Sequence, residues 1–283
     1  MANDLTDGQG ETPSTDELRA MAQSAREQDQ PLTAWEHLQK ALEIDRRDHG
    51  ETHPNVIQDL NNLATVFQEL GDMRGARQHY EQALDRARQH YGDKDESVAI
   101  IHNNLGGVLQ ELGHFNDAKQ HLETSLDMLI SVHGDDHRIV ASIINNLGGL
   151  AHESGDLNGA KEYYERALAI DERQRGPNDP VVAAEINNIA GVLRDLGDLE
   201  GAREGYQRAM EIDEAAYGAD HPLVAIRANN LAGILQYMGE MDEARELFEH
   251  ASRVLEQTRG EAHPATQLVQ NNLDSMPPTP PAS

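Results

Sequence analysis

Between Pro222 and Gly260 the apolar residues fall into two helical stripes with one break between them. Val224, Ala228, Leu231, Ala232 and Leu235 are spaced by four, three, one and three residues. That spacing marks one face of a 3.6-residue period and predicts a first helix, A. Ala244, Leu247, Phe248, Ala251, Val254 and Leu255 predict a second helix, B, from about Met241. Gly239 suits the left-handed backbone that closes helix A, and Gly260 stops helix B.

The pattern recurs along the chain. Asn-Asn-Leu, once Asn-Asn-Ile, begins at Asn61, Asn103, Asn145, Asn187, Asn229 and Asn271, a period of 42 residues without insertion or deletion. The glycine that ends helix A returns as Gly71, Gly113, Gly155 and Gly197. Gly-x-x-His-Pro joins successive repeats at Gly50 to Pro54, Gly218 to Pro222 and Gly260 to Pro264. Proline fits a first helical turn, where its missing N–H would be unpaired anyway, and Pro180 repeats the role behind Asp179. Where the proline is absent, at Asp95-Glu96 and His137-Arg138, an acidic or polar residue must cap the helix.

Small residues stand where two backbones must approach: Ala64, Gly106, Gly148, Ala190 and Ala232 on helix A. Ala76, Ala118, Ala160, Ala202 and Ala244 do the same on helix B. Tyr80, Leu122, Tyr164, Tyr206 and Phe248 plug the space beside them, each followed three residues later by Ala83, Ser125, Ala167, Ala209 or Ala251. In such an array each repeat touches only its neighbours, so length does not set the number of domains.

This register of small and aromatic positions resembles the tetratricopeptide repeat, whose usual unit is 34 residues. With eight more residues per unit, Asn-Asn-Leu-Ala and Gly-x-x-His-Pro, the chain is similar to the kinesin light chain subclass. The resemblance covers residues 14–274 and implies an all-α fold, a right-handed α-solenoid of stacked antiparallel helix pairs. Repeats are expected at about 14–50, 53–92, 95–134, 137–176, 179–218 and 221–260, with a capping helix at 263–274. The first is degenerate. It keeps Met21, Ala22, Ala34, Leu38 and Ala41 at pattern positions but has Arg19-Ala20 in place of the Asn pair, as suits a terminal cap. Residues 1–13 and the proline-rich tail 275–283 are expected to be disordered.

Composition narrows the partners. Fifty acidic against 23 basic side chains give a net charge of −27, which repels nucleic acid and anionic membranes. Lysine occurs only at 40, 94, 119 and 161, so the surface suits either a high-salt environment or a basic partner. No cysteine is available for a disulfide, a thiolate metal site or a thiol nucleophile. The polar N-terminus lacks the features of a signal peptide and no stretch is apolar enough to span a bilayer, so the expected address is cytoplasmic.

Function must then be sought on the repeated surface. An asparagine in mid-helix costs roughly 0.5 kcal/mol or more against alanine, so the Asn pairs need compensating bonds. With Leu63 buried against helix B, Asn61 points away from it, toward the concave groove, and Asn62 sits to one flank. The second asparagines can bond permanently along the seam between neighbouring A helices, or they can hold a ligand. In the family that the resemblance points to, asparagine at the second position grips the backbone of an extended peptide. That role carries over to Asn62, Asn104, Asn146, Asn188 and Asn230, with Asn61, Asn103, Asn145, Asn187 and Asn229 beside them.

Other positions expected on the groove include Thr65 and, further along, Gln68, Gln110, His152, Arg194 and Gln236. Gly107, Gly149, Gly191 and Gly233 either clear the groove floor or permit close helix packing. Glu69, Glu111, Glu153 and Asp195 form a row that is either solvated surface or a selector of basic segments. The fourteen histidines do not converge on a metal site, and no nucleotide loop, nucleophile elbow or HExxH stretch occurs. No cofactor and no catalytic residue is expected. The function read from the sequence is a non-enzymatic scaffold or adaptor for a basic or extended protein or peptide segment. The alternative is a peptide-responsive sensor that controls a separate effector.

Overall fold

The computed structural model describes residues 13–277, so residues 1–12 and 278–283 of the two terminal segments expected to be disordered lie outside the described residues. Thirteen α-helices and no strand make up the described chain. The A helices are α1 (Thr15–Glu27), α3 (Pro54–Glu69), α5 (Glu96–Glu111), α7 (Arg138–Glu153), α9 (Pro180–Leu196), α11 (Pro222–Met238) and α13 (Pro264–Asp274). The B helices are α2 (Pro31–His49), α4 (Met73–Tyr91), α6 (Phe115–His133), α8 (Leu157–Arg175), α10 (Leu199–Tyr217) and α12 (Met241–Arg259). Contacts divide the chain into two units, Met1–Val132 and His133–Ser283. In the first, α1 to α5 pack each on the next, and in the second α7 to α13 do the same.

Each A helix after the first is opened by the residue that ends the link before it. His53, Asp95, His137, Asp179, His221 and His263 each accept a hydrogen bond from the backbone N–H two residues on, at 2.8–3.3 Å. The four histidines accept through Nδ1, which places the ring proton on Nε2. In Gly-x-x-His-Pro it is therefore the histidine that caps, while the proline fills the first turn. Gly197 closes α9 in the left-handed conformation (φ +86°). One period before Gly71 stands Asp29, which takes the same kind of turn at φ +57° without glycine's freedom.

The core is thin and runs between the A and B helices. Ala64, Ala76, Ala190 and Ala202 are fully buried, with Tyr80 and Tyr206 packed beside them. Met21 is 44% exposed, whereas its counterpart Leu63 is buried. One expectation needs correction. Met276, assigned to the tail, is buried to 7% in a cluster with Leu235 and Phe248. It lies one period after Ile234, in the series Val66, Val108, Leu150 and Val192, and so belongs to the core pattern.

Charge enters the seams at paired positions 14 residues apart, one late on a B helix and one on the next A helix. Asp213 meets Arg227 Nε at 2.9 Å. Asp59 accepts from Arg19 Nε at 2.7 Å, and Asp45 binds the same guanidinium. Arg88 meets His102 Nε2 at 3.0 Å, and His102 Nδ1 lies 2.8 Å from His121 Nδ1. Burial, then His121 and Arg88, push the His102 pKa down to about 4. At the fourth seam both members are acids: Glu185 faces Asp171, which Arg175 Nε contacts at 2.9 Å. Burial first, and then Asp171, push Glu185 up to about 8.

Two outcomes are expected. Glu185 keeps its proton up to about pH 8 when folded but ionises near its ordinary 4.5 when unfolded, so the folded chain binds more protons in that window. Stability from this group is present below the lower value and is lost as pH rises through the upper one. Glu185→Gln should flatten that decline in thermal midpoints measured across the window; an unchanged slope would assign the effect elsewhere. Asp29→Gly should raise stability by up to about 1 kcal/mol in urea unfolding, by relieving the left-handed backbone.

Candidate functional site

The asparagine pairs from Asn61 to Asn230 stand half-buried on the A helices, each followed by a buried or partly buried leucine or isoleucine, whereas Asn271 is exposed. In the first unit Asn104 Nδ2 donates to Asn61 Oδ1 at 3.2 Å. In the second unit Asn188 donates to Asn145 at 3.2 Å, Asn230 to Asn187 at 2.9 Å and Asn272 to Asn229 at 2.9 Å. Each of these four rungs spans 43 residues, one period plus one, so Asn104, Asn188, Asn230 and Asn272 each reach back to the first asparagine of the A helix before. Within a pair, Asn103 Nδ2 bonds Asn104 Oδ1 at 3.3 Å and Asn229 bonds Asn230 at 3.5 Å. The second asparagines thus do bond along the seam. Upstream of Asn62 the corresponding place holds Arg19, whose guanidinium is turned into the Asp45–Asp59 pair.

A second row crosses seams between A helices with the same offset. Arg26 binds Glu69 at 2.6 Å and His152 Nε2 meets Asp195 at 2.7 Å, each pair 43 residues apart. Arg194 Nε also bonds Asp195, at 2.8 Å, and with His152 holds that carboxyl below the usual range. Glu69 and Asp195 are therefore tied across seams, while Glu111 and Glu153 are exposed. Two of the expected groove positions turn toward helix B instead. Thr65 Oγ1 lies 3.0 Å from Tyr80 Oη and donates to Asn61 O, and Tyr80 Oη donates to Gln68 Oε1 at 3.0 Å. Gln110 and Gln236 are half-buried and Arg194 is exposed.

The glycines separate into two kinds. A Cβ at Gly106 would lie 2.8 Å from Leu122, and one at Gly148 would lie 2.7 Å from Tyr164, so these glycines admit the large residue of helix B. One position later the situation reverses. A Cβ on Gly107 or Gly233 would meet nothing within 4 Å, and one on Gly191 would make ordinary contacts with Tyr206 Oη at 3.4 Å and His152 Cε1 at 4.0 Å. Close packing does not account for Gly107 and Gly233; they keep side chains off an open face. Among the described residues no group of three or more His, Asp or Glu side chains is placed to hold a metal. The buried His102–His121 contact, which joins two helices, was not visible in the spacing of the histidines along the chain.

The contrast gives a direct measurement. Gly107→Ala should stabilise the chain by up to about 1 kcal/mol through helix propensity. Gly106→Ala should destabilise it by about 1–3 kcal/mol through overpacking against Leu122. Equal shifts in urea midpoints would mean that both glycines serve packing.

A family model described as tetratricopeptide repeat matches residues 14–89, 97–173, 182–257 and 226–273. No curated protein matches the chain significantly in sequence. Among solved structures, BtubC (BKLC) from P. vanneervenii is similar with a TM-score of 0.65 and 20% identity, over 96% of this chain and 97% of that one. A Podosopora anserina putative kinesin light chain with nearly identical TPR-like repeats gives 0.62 and 18%, over 72% and 98%. A Rap protein complexed with competence and sporulation factor gives 0.64 and 17%, over 92% and 74%. The structural neighbours thus include kinesin light chain-like repeat proteins. No helix among the described residues is long and apolar enough to cross a membrane.

Proposed function

The chain belongs to the tetratricopeptide repeat family, and we propose that it is a non-enzymatic interaction scaffold whose asparagine-bearing A-helix faces grip the backbone of an extended protein segment. The observation that carries this reading is the unused capacity of the ladder. A carboxamide has two N–H donors and an oxygen with two lone pairs, and each rung takes one N–H from one residue and one lone pair from the other. What remains on the half-buried side chains is the donor-and-acceptor pair that a peptide unit requires, whatever its side chain. The open space above Gly107 and Gly233 gives that backbone room. The Rap neighbour complexed with competence and sporulation factor supports a ligand-holding use of this fold.

Charge selects among partners. Glu111 and Glu153 are exposed on these faces in a chain of net charge −27, which favours basic or neutral segments and disfavours acidic ones, nucleic acid and anionic lipid.

Asn104→Ala and Asn188→Ala test the reading. Each removes one rung, worth about 1 kcal/mol, against a helix-propensity gain of about half that, so folding should survive with a small loss. Affinity for a bound peptide should fall well beyond that loss while helicity by circular dichroism stays intact. Unchanged affinity would leave the asparagines a purely structural role.

A further inference from the structure

The seam between α11 and α13 departs from the repeat pattern. α13 has 11 residues against the 17 of α11, and ends at Asp274 before it reaches the position that would lie across from Gln236. A cavity of about 480 Å³ is left beside α11. Its walls are Arg194, Asn229, Asn230, Gln236 and Tyr237, and the core residues Ile234 and Phe248 reach its floor next to Gly233. Where the row has Glu69, Glu111, Glu153 and Asp195, this repeat has Tyr237, 77% exposed. An aromatic ring held that far into water, beside a hollow of this size, is the largest departure from the repeat on the A-helix face.

The walls define the occupant. Arg194 is the across-seam neighbour of Tyr237, as Arg26 is of Glu69, but a phenol cannot neutralise it; its Nε turns to Asp195 instead. The guanidinium and the Tyr237 ring are both planar groups that bind π faces. Asn229 and Asn230 form rungs with Asn272 and Asn187 and retain amide groups at the rim. A basic side chain would be opposed by Arg194, and a carboxylate would compete with Asp195, which already holds that guanidinium. A flat aromatic side chain meets each wall favourably: its face on Tyr237 and Arg194, its edge toward the amides, and its far end above Gly233.

We infer that this cavity is an anchor subsite for an aromatic side chain of the segment whose backbone the asparagines hold. The inference rests on the backbone-grip reading above, and its test separates the two. A random peptide library is selected on the full chain, and the recovered peptides are labelled and titrated by fluorescence anisotropy. They should carry an aromatic residue at one fixed place, and replacing it with alanine should raise Kd about tenfold. Tyr237→Ala should do the same, and so should Gly233→Leu, which fills the hollow at a position where a Cβ meets nothing within 4 Å. Combining Tyr237→Ala with the alanine peptide should add nothing further. Peptides without an aromatic preference, or a Kd indifferent to both variants, would overturn the subsite; the backbone grip would stand if Asn188→Ala still weakens binding. If Asn188→Ala is also without effect, both readings fail.

Discussion

The asparagine rung is the constraint on which the rest of the structure depends. It joins residues 43 apart, so it exists only while successive A helices keep the same rotation and height. One inserted residue would turn everything after it by about 100° and carry the second asparagine off the seam. The unbroken 42-residue period is the sequence trace of that geometry. Energetically the rung explains an otherwise costly choice: each asparagine sacrifices about 0.5 kcal/mol of helix propensity, and a satisfied bond of about 1 kcal/mol offsets it. Because the pairs also bond internally at Asn103–Asn104 and Asn229–Asn230, amide dipoles align from helix to helix and strengthen one another.

That register is only as good as the packing under it. Gly106 yields to Leu122 and Gly148 to Tyr164, while at the next repeat the exchange is reversed, Ala190 on the A helix facing Gly205 on the B helix with 2.9 Å to a Cβ there. At each of these contacts a small residue on one helix admits its neighbour on the other, so the two backbones can approach closely.

How much of this could be read from the sequence follows from how local each interaction is. Helices, links and the core stripe depend on spacing within one repeat, and the residues that form them are visible as a period. The rung was half legible: geometry on one helix put the second asparagine at the flank, but the one-residue offset to its partner needs two helices at once. The charged seam pairs were not legible, because Asp213 and Arg227, or Asp171 and Glu185, sit on opposite sides of a link and vary in identity from seam to seam. Asp29 and Met276 lie on the period, one repeat before Gly71 and one after Ile234, but each stands where the flanking residues depart from the repeat pattern.

Irregularity at the ends has a physical source. A repeat with described neighbours on both sides keeps the pattern, whereas those at the ends of the described chain depart from it. At the first seam Arg19 replaces an asparagine and answers two buried carboxylates. At the last seam the apolar series that includes Met210 and Val224 becomes Ser252 and Thr266, with Ser252 bonded to Gln270 at 3.0 Å. α13, shorter than α11, stops at Asp274 beside the hollow that Tyr237 lines. A ladder of identical amides can hold a backbone but cannot tell one segment from another, since its donors and acceptors repeat without variation. On the reading proposed above, discrimination comes from positions that break the repeat, as Tyr237 does where the preceding row carries Glu69, Glu111, Glu153 and Asp195.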